Sequence, residues 1–314
     1  KGQAVPKLHE HIDNTVGRGS PVNALAEMDS TSQRIKSLND ANYTRVMSSP
    51  KAQVVPPAAV APAEARIRTM FGDQFVNEIG RAAFARGENP AAYGLVQTGR
   101  DFAISPRGAS LRFWDEAKQY IDDSINKLYD PVTRAPKPGA NSEIATLTAL
   151  KKTLVGTDRS GKKGVLDRLF PEYEKIRFEG SELYNSRNAI DAGYKYFADK
   201  NYPKIASKEK FAARLTPSQK EDFAYGYAGA YRDLLEKNPQ AALKMFSGPT
   251  SAMEIKKARM ALGPAQADEL IGLAHAQFLN SNIKALASNP QTAGYWKPII
   301  GGGGLGTAAE WALG

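Results

Sequence analysis

Residues 111–128, LRFWDEAKQYIDDSINKL, begin the stretch whose reading decides the fold. It continues to Ala198 as a proline-rich break, a second helix, a basic glycine loop and a third helix opened by Phe170-Pro171-Glu172-Tyr173. In the first helix Trp114, Ala117, Ile121, Ile125 and Leu128 recur at three- and four-residue steps and define one apolar face. Asp115, Glu116, Gln119, Asp122, Asp123 and Lys127 fall on the other. Ile144, Leu147, Leu150 and Leu154 repeat the spacing in the second helix. Pro131, Pro136, Pro138 and Gly139 supply the turn between them, and Asn141 or Ser142 is placed to cap the second helix. Two helices joined in this way are expected to pack as an antiparallel hairpin. These faces seek a core; they are not a catalytic constellation.

Downstream, Pro171 suits the first turn of a helix that would bury Tyr173, Ile176, Leu183, Ala189 and Ile190. Tyr194, Tyr196, Phe197 and Tyr202 lie beside Lys195, Lys200 and Lys204. Such interleaving can grip a single nucleic-acid strand, but tyrosines at helical spacing more often form core with a polar tip. Thr216-Pro217-Ser218-Gln219 is the clearest helix start in the chain, with a capping threonine, proline at the first helical position and a glutamine able to close a capping box. That helix should bury Phe223, Tyr227, Tyr231 and Leu234. Asn238-Pro239 opens a short helix through Phe246, and Gly248-Pro249 and Gly263-Pro264 bracket the next. A long last helix carries Ala267, Leu270, Ile271, Ala274, Phe278 and Leu286, with His275 a packed or surface histidine beside that face.

Upstream, residues 1–21 read as polar and irregular. His9 and His11 stand two apart, which points them in different helical directions, and no further ligands can be nominated for a metal. Val22, Leu25, Ile35, Leu38 and Val46 suggest one or two helices ended by Ser49-Pro50. Residues 50–62 read as a stiff extended connector. Helices follow over Ala63–Phe71 and Asp73–Arg86, and a loop from Gly99 to Gly108 holds the faintly strand-like Phe102-Ala103-Ile104. The expected division is a helical region at 1–108 with its connector at 50–62, a main helical domain at 109–290, and a glycine- and alanine-rich tail at 291–314.

The 314 residues suffice for one large or two ordinary domains, and 42% hydrophobic content supports real cores. The absence of cysteine excludes disulfides, thiolate metal sites and cysteine nucleophiles. A net charge of +9 permits contact with nucleic acid or an anionic membrane, though it also fits an ordinary basic protein. The first residues lack the apolar core of a signal peptide, and no apolar run of about 18 residues is present. A first residue other than Met and a last segment that stops mid-pattern are expected of a piece of something longer.

Gly156-Thr157-Asp158-Arg159-Ser160-Gly161-Lys162-Lys163 nearly matches the phosphate-binding loop G-x-x-x-x-G-K-[ST]. It departs twice: Lys163 stands where a hydroxyl must reach magnesium, and the preceding residues read as helix rather than strand. Nucleotide binding is therefore not expected. What remains is a cation cluster of Lys151, Lys152, Arg159, Lys162, Lys163 and Arg168, which is either a solvated loop or a contact for a phosphate backbone. In the tail, Ile299, Ile300, Leu305 and Trp311 among many glycines and alanines can open a membrane-active or partner-contacting segment. A flexible tail is the plainer reading.

Several segments in this order carry a resemblance. They are Trp114-Asp115-Glu116-Ala117-Lys118 with Ile121-Asp122, Leu147-Thr148-Ala149-Leu150-Lys151-Lys152-Thr153-Leu154, and Phe170-Pro171-Glu172-Tyr173-Glu174-Lys175-Ile176-Arg177. Leu215-Thr216-Pro217 leading to Phe223-Ala224-Tyr225-Gly226, then Ala261-Leu262-Gly263 and Asn289-Pro290-Gln291-Thr292-Ala293, complete the series. Over roughly residues 20–300 this order resembles a helical region of large tailed-phage and prophage proteins, among them internal virion and DNA-transfer (ejection) proteins. Pro290 departs from the family's usual serine, and no lytic-transglycosylase motif is present. The resemblance implies a non-enzymatic virion component, held inside the particle and then delivered to the host envelope. Its implied partners are copies of itself, other virion proteins, double-stranded DNA without sequence preference, and the host membrane through the tail. The alternative is a nucleic-acid-binding or packing protein within the particle. The residues themselves predict an all-α array or bundle of about ten to twelve amphipathic helices. They nominate no catalytic residue, metal ligand or cofactor.

Overall fold

The computed structural model describes residues 4–130, 135–158 and 160–288. Helical periodicity decides almost all of it: fourteen α-helices occupy the described residues, against one two-stranded sheet. Three of the helices have six residues or fewer. The rest match the expected number of substantial amphipathic helices, and the fold is all-α. Two compact units divide the chain, one drawn from Gln33–Leu183 and the other from Lys1–Ser32 with Tyr184–Gly314.

The unit of residues 33–183 holds the end of α2 (Ala24–Ser37), a π-helical turn at Leu38–Tyr43, α3 (Thr44–Met47), α4 (Pro57–Phe71), α5 (Gln74–Ala85), α6 (Leu111–Lys127), α7 (Asn141–Leu154), α8 (Val165–Leu169) and the first part of α9 (Pro171–Ala198). The antiparallel hairpin of β1 (Leu95–Thr98) and β2 (Asp101–Ile104) pairs Leu95 with Ile104 and Thr98 with Asp101. Trp114, Ala117 and Ile121 of α6 are buried with Leu147, Leu150 and Leu154 of α7, so the expected helical hairpin forms. The domain boundary expected at residues 108 and 109 falls inside this unit, because one core runs from Val46 to Ile176 through residues on both sides of it.

Three local expectations are corrected. The stretch at 50–62 is not one extended connector. A 3-10 turn at Pro50–Ala52 leads to the buried Val55, whose amide donates to the Ala109 carbonyl at 2.8 Å, and α4 already begins at Pro57. Pro57 suits the first helical position; the interior Pro62 leaves the Ala58 carbonyl without a helical donor, and both residues face solvent, where water can serve. Ala140, rather than Asn141 or Ser142, takes the position before α7, without a side-chain cap. Asp115, assigned to the polar face of α6, is buried: its carboxylate accepts from the Tyr173 hydroxyl at 2.6 Å and from Gln119 at 2.9 Å.

The other unit contains α1 (Ala4–Val16), the start of α2, the end of α9, α10 (Tyr202–Ala212), α11 (Pro217–Lys237), α12 (Pro239–Lys244), α13 (Ser251–Leu262) and α14 (Pro264–Ser288). Residues 4–16 are thus helical rather than irregular, and Leu8 and Ile12 of α1 enter the core. Thr216 and Gln219 close the expected capping box on α11, which buries Phe223, Tyr227 and Tyr231. Lys257 is fully buried: its ammonium donates to the carbonyls of Phe197, in the last turn of α9, and Asp199, just past it, and to the Glu254 carboxylate. The cation thereby offsets the partial negative charge of a helix C-terminus. Tyr196 and Phe197 are core, whereas Tyr202 is 71% exposed, so the aromatic run does not form one stacking platform.

Candidate anion-binding cleft

The basic glycine loop leaves α7 at Val155 and folds back on itself. The Gly164 amide donates to the Gly156 carbonyl at 2.7 Å, the Asp158 amide donates to the Lys162 carbonyl at 3.0 Å, and Thr157 pairs with Lys163. Gly156 and Gly161 have φ values of 84° and 82°, so both glycines serve left-handed turns of a tiny hairpin. The root of the loop is fixed by Asp167, whose carboxylate accepts from the Gly156 amide at 2.6 Å and pairs with Arg177. Arg177 in turn lies over the Tyr173 ring at 4.9 Å.

The donors that would face a phosphate are already occupied. One carboxylate oxygen of Asp158 accepts from the Ser160 amide at 2.9 Å, the Ser160 hydroxyl at 2.7 Å and the Lys162 amide at 2.9 Å. The Ser160 hydroxyl, followed by the Lys162 amide, holds this carboxyl below its ordinary range. A helix rather than a strand precedes the loop, and the helix after it has five residues. The geometry of a nucleotide phosphate loop is therefore missing, for reasons beyond the two departures visible in the sequence.

Beside the loop, α4 and α7 pack face to face and leave a cleft of about 870 Å³. Small side chains line it from both helices, Ala59, Pro62 and Ala63 from α4 with Ala145, Thr148, Ala149 and Thr153 from α7. Arg66, Lys152, Lys162, Lys163 and Arg168 surround it, against a single carboxylate, Asp158. No aromatic side chain lines it. A second cleft of about 730 Å³, in the other unit, has Arg18 and Lys220 balanced by Glu209 and Glu221, so only the first concentrates one sign of charge.

The six cations nominated from the sequence separate into three kinds. Lys152, Lys162 and Arg168 line the cleft and make no ion pair among the described residues. Lys151 and Lys163 are engaged, with Asp122 at 2.5 Å and Glu174 at 2.7 Å, and Lys151 does not line the cleft. Arg159 lies outside the described residues, as do Ile299, Ile300, Leu305 and Trp311 of the tail. Sequence reasoning missed Arg66, an unpaired cation about ninety residues upstream of the loop. The only available signal was its spacing from Ala59, Pro62 and Ala63, which marks the α4 face without saying what that face meets.

Among the described residues no cluster of histidine, aspartate and glutamate is arranged to hold a metal ion, and no helix is long and apolar enough to cross a membrane. No protein-family model, curated protein or solved structure matches the chain. Among the described residues the fold is all-α, and the cleft beside the loop is lined by five cations and one carboxylate.

Proposed function

We propose that the chain is a non-enzymatic component of a tailed-phage particle, carried inside the virion with the genome and released to help the DNA cross the host envelope. The order of helical segments described above supports the virion setting. The observation that carries contact with the genome is the gathering of unpaired cations in the cleft between α4, α7 and the loop. Cations on a surface without aromatic platforms suit phosphate contacts that hold any passing sequence equally. In this reading several copies surround the DNA, since identical head-to-tail interfaces close into rings. Other virion proteins adjoin the ring, and the segment containing Ile299, Ile300, Leu305 and Trp311 meets the membrane.

Sedimentation of the chain alone, with duplex DNA and with anionic liposomes tests this. The expected result is a defined oligomer that binds DNA and, through residues beyond Pro298, liposomes. A monomer that binds DNA would favour the second reading, a nucleic-acid-binding protein within the particle. A monomer that binds no DNA even at low salt would leave only a structural packing role inside the particle.

A further inference from the structure

The cleft cations are not equivalent, and their pairing separates them. Lys151 and Lys163 already neutralise carboxylates of their own unit, so a phosphate that approached either would have to compete with Asp122 or Glu174. Arg66, Lys152 and Arg168 make no ion pair among the described residues, Lys162 interacts only with Asp158, and the four come from four places: α4, α7, the loop and α8. Four like charges held around one groove repel each other, and an entering polyanion relieves that repulsion while releasing its own counterions. The uncharged lining is of small aliphatic and hydroxyl side chains, and no ring is available for a base to stack on. The groove can thus engage a backbone by charge but offers no platform for stacking bases.

We infer that Arg66, Lys152, Lys162 and Arg168 form one seat for the phosphates of a nucleic-acid backbone, with Arg66 a contact residue equal to the loop cations and Lys151 and Lys163 structural ion pairs. This rests on the reading above that the chain contacts nucleic acid. Asp158 is the seat's one opposing charge: it stays ionised because three donors hold it, and it weakens the grip on any phosphate beside it. The backbone donors that a phosphate loop would offer are spent on this internal carboxylate, so binding falls to the side chains.

The test measures affinity of the full chain for a fluorescent duplex, and for one of its single strands, over a range of salt concentrations. Each phosphate contact contributes about one unit to the slope of log affinity against log salt, so R66A, K162A and R168A should each flatten it by about one. R66K should restore the slope, because a phosphate contact here needs charge rather than a guanidinium fork. K151A should leave the slope as it was. D158N should raise affinity several-fold, since the carboxamide oxygen still accepts from the loop amides while the repelling charge is gone; a damaged fold would not tighten binding. The single strand should show no advantage over the duplex. No DNA binding by the unaltered chain would overturn the functional reading and this inference together. Binding that persists with an unchanged slope in R66A, or that is lost in K151A, would overturn only the inference. A clear preference for the single strand would overturn its backbone-only character.

Discussion

Trp114 and Asp115 are neighbours on one turn of α6 and both are buried, for different reasons. Trp114 fills the core beside Phe113 in an edge-on contact with ring centres 5.1 Å apart, and it is 1% exposed. Replacing it with alanine should lower stability by about 3–5 kcal/mol, the usual cost of truncating a large core aromatic. Chemical denaturation checks this, and a change within about 0.5 kcal/mol would contradict the burial. Asp115 is inside because the Tyr173 hydroxyl meets it there, a contact 58 positions along the chain that helical periodicity cannot foresee. At Lys162 the prediction is negative. Asp158 already occupies the loop's amides, so magnesium-ATP should not bind measurably by calorimetry, in the unaltered chain or in Lys162→Ala. Saturable binding lost in that variant would restore a phosphate-loop reading.

At the scale of elements, the crossing of α9 and α11 depends on two glycines. A methyl group on Gly226 would stand 2.0 Å from the Ile190 carbonyl oxygen, and one on Gly193 would stand 2.0 Å from that of Phe223. Backbone cannot yield as a flexible side chain can, so Gly226→Ala should destabilise by about 1–3 kcal/mol or more, as overpacked sites do. Gly272 lies within α14 with open space where its methyl would go, so Gly272→Ala should instead stabilise by about 0.5–1 kcal/mol. Thermal melting of the two variants reads the opposite signs; destabilisation in both would show that helix packing is not the cause. Elements with strong punctuation were legible from sequence alone. Thr216-Pro217 started a helix, and Pro171 and Pro264 each began one where their fixed φ and missing amide are harmless. The start of α1 was hidden because only Leu8 and Ile12, four residues apart, announce its buried face among histidines and charges. The cleft was half legible. Its loop cations cluster in sequence, but Arg66 joins them only through the packing of α4 on α7, and no local signal reports which cations are neutralised by Asp122 and Glu174.

At the scale of the whole molecule, buried tyrosines set the response to alkali. Burial pushes the hydroxyls of Tyr43, Tyr173, Tyr196, Tyr227 and Tyr231 above their ordinary range. In the unfolded chain they ionise near about 10, while in the folded chain they keep their protons, so above that pH the unfolded state binds fewer protons and stability falls. Burial also pushes Lys257 down, which makes stability rise with pH up to about 10.5, but this is one group against five. Denaturation midpoints should therefore fall steeply as pH passes about 10; a midpoint unchanged through pH 11, about one unit beyond the ordinary tyrosine value, would contradict this set of buried hydroxyls. The central claim is that this helical scaffold presents a basic groove able to hold any DNA by its phosphates. The measurement that tests it most directly is the affinity of the full chain for two duplexes of unrelated sequence, titrated with salt. The account predicts equal affinities that fall together, by about a thousandfold or more for a groove of at least four contacts as salt rises tenfold. Failure to bind at low salt, or strong preference for one sequence at every salt concentration, would contradict it.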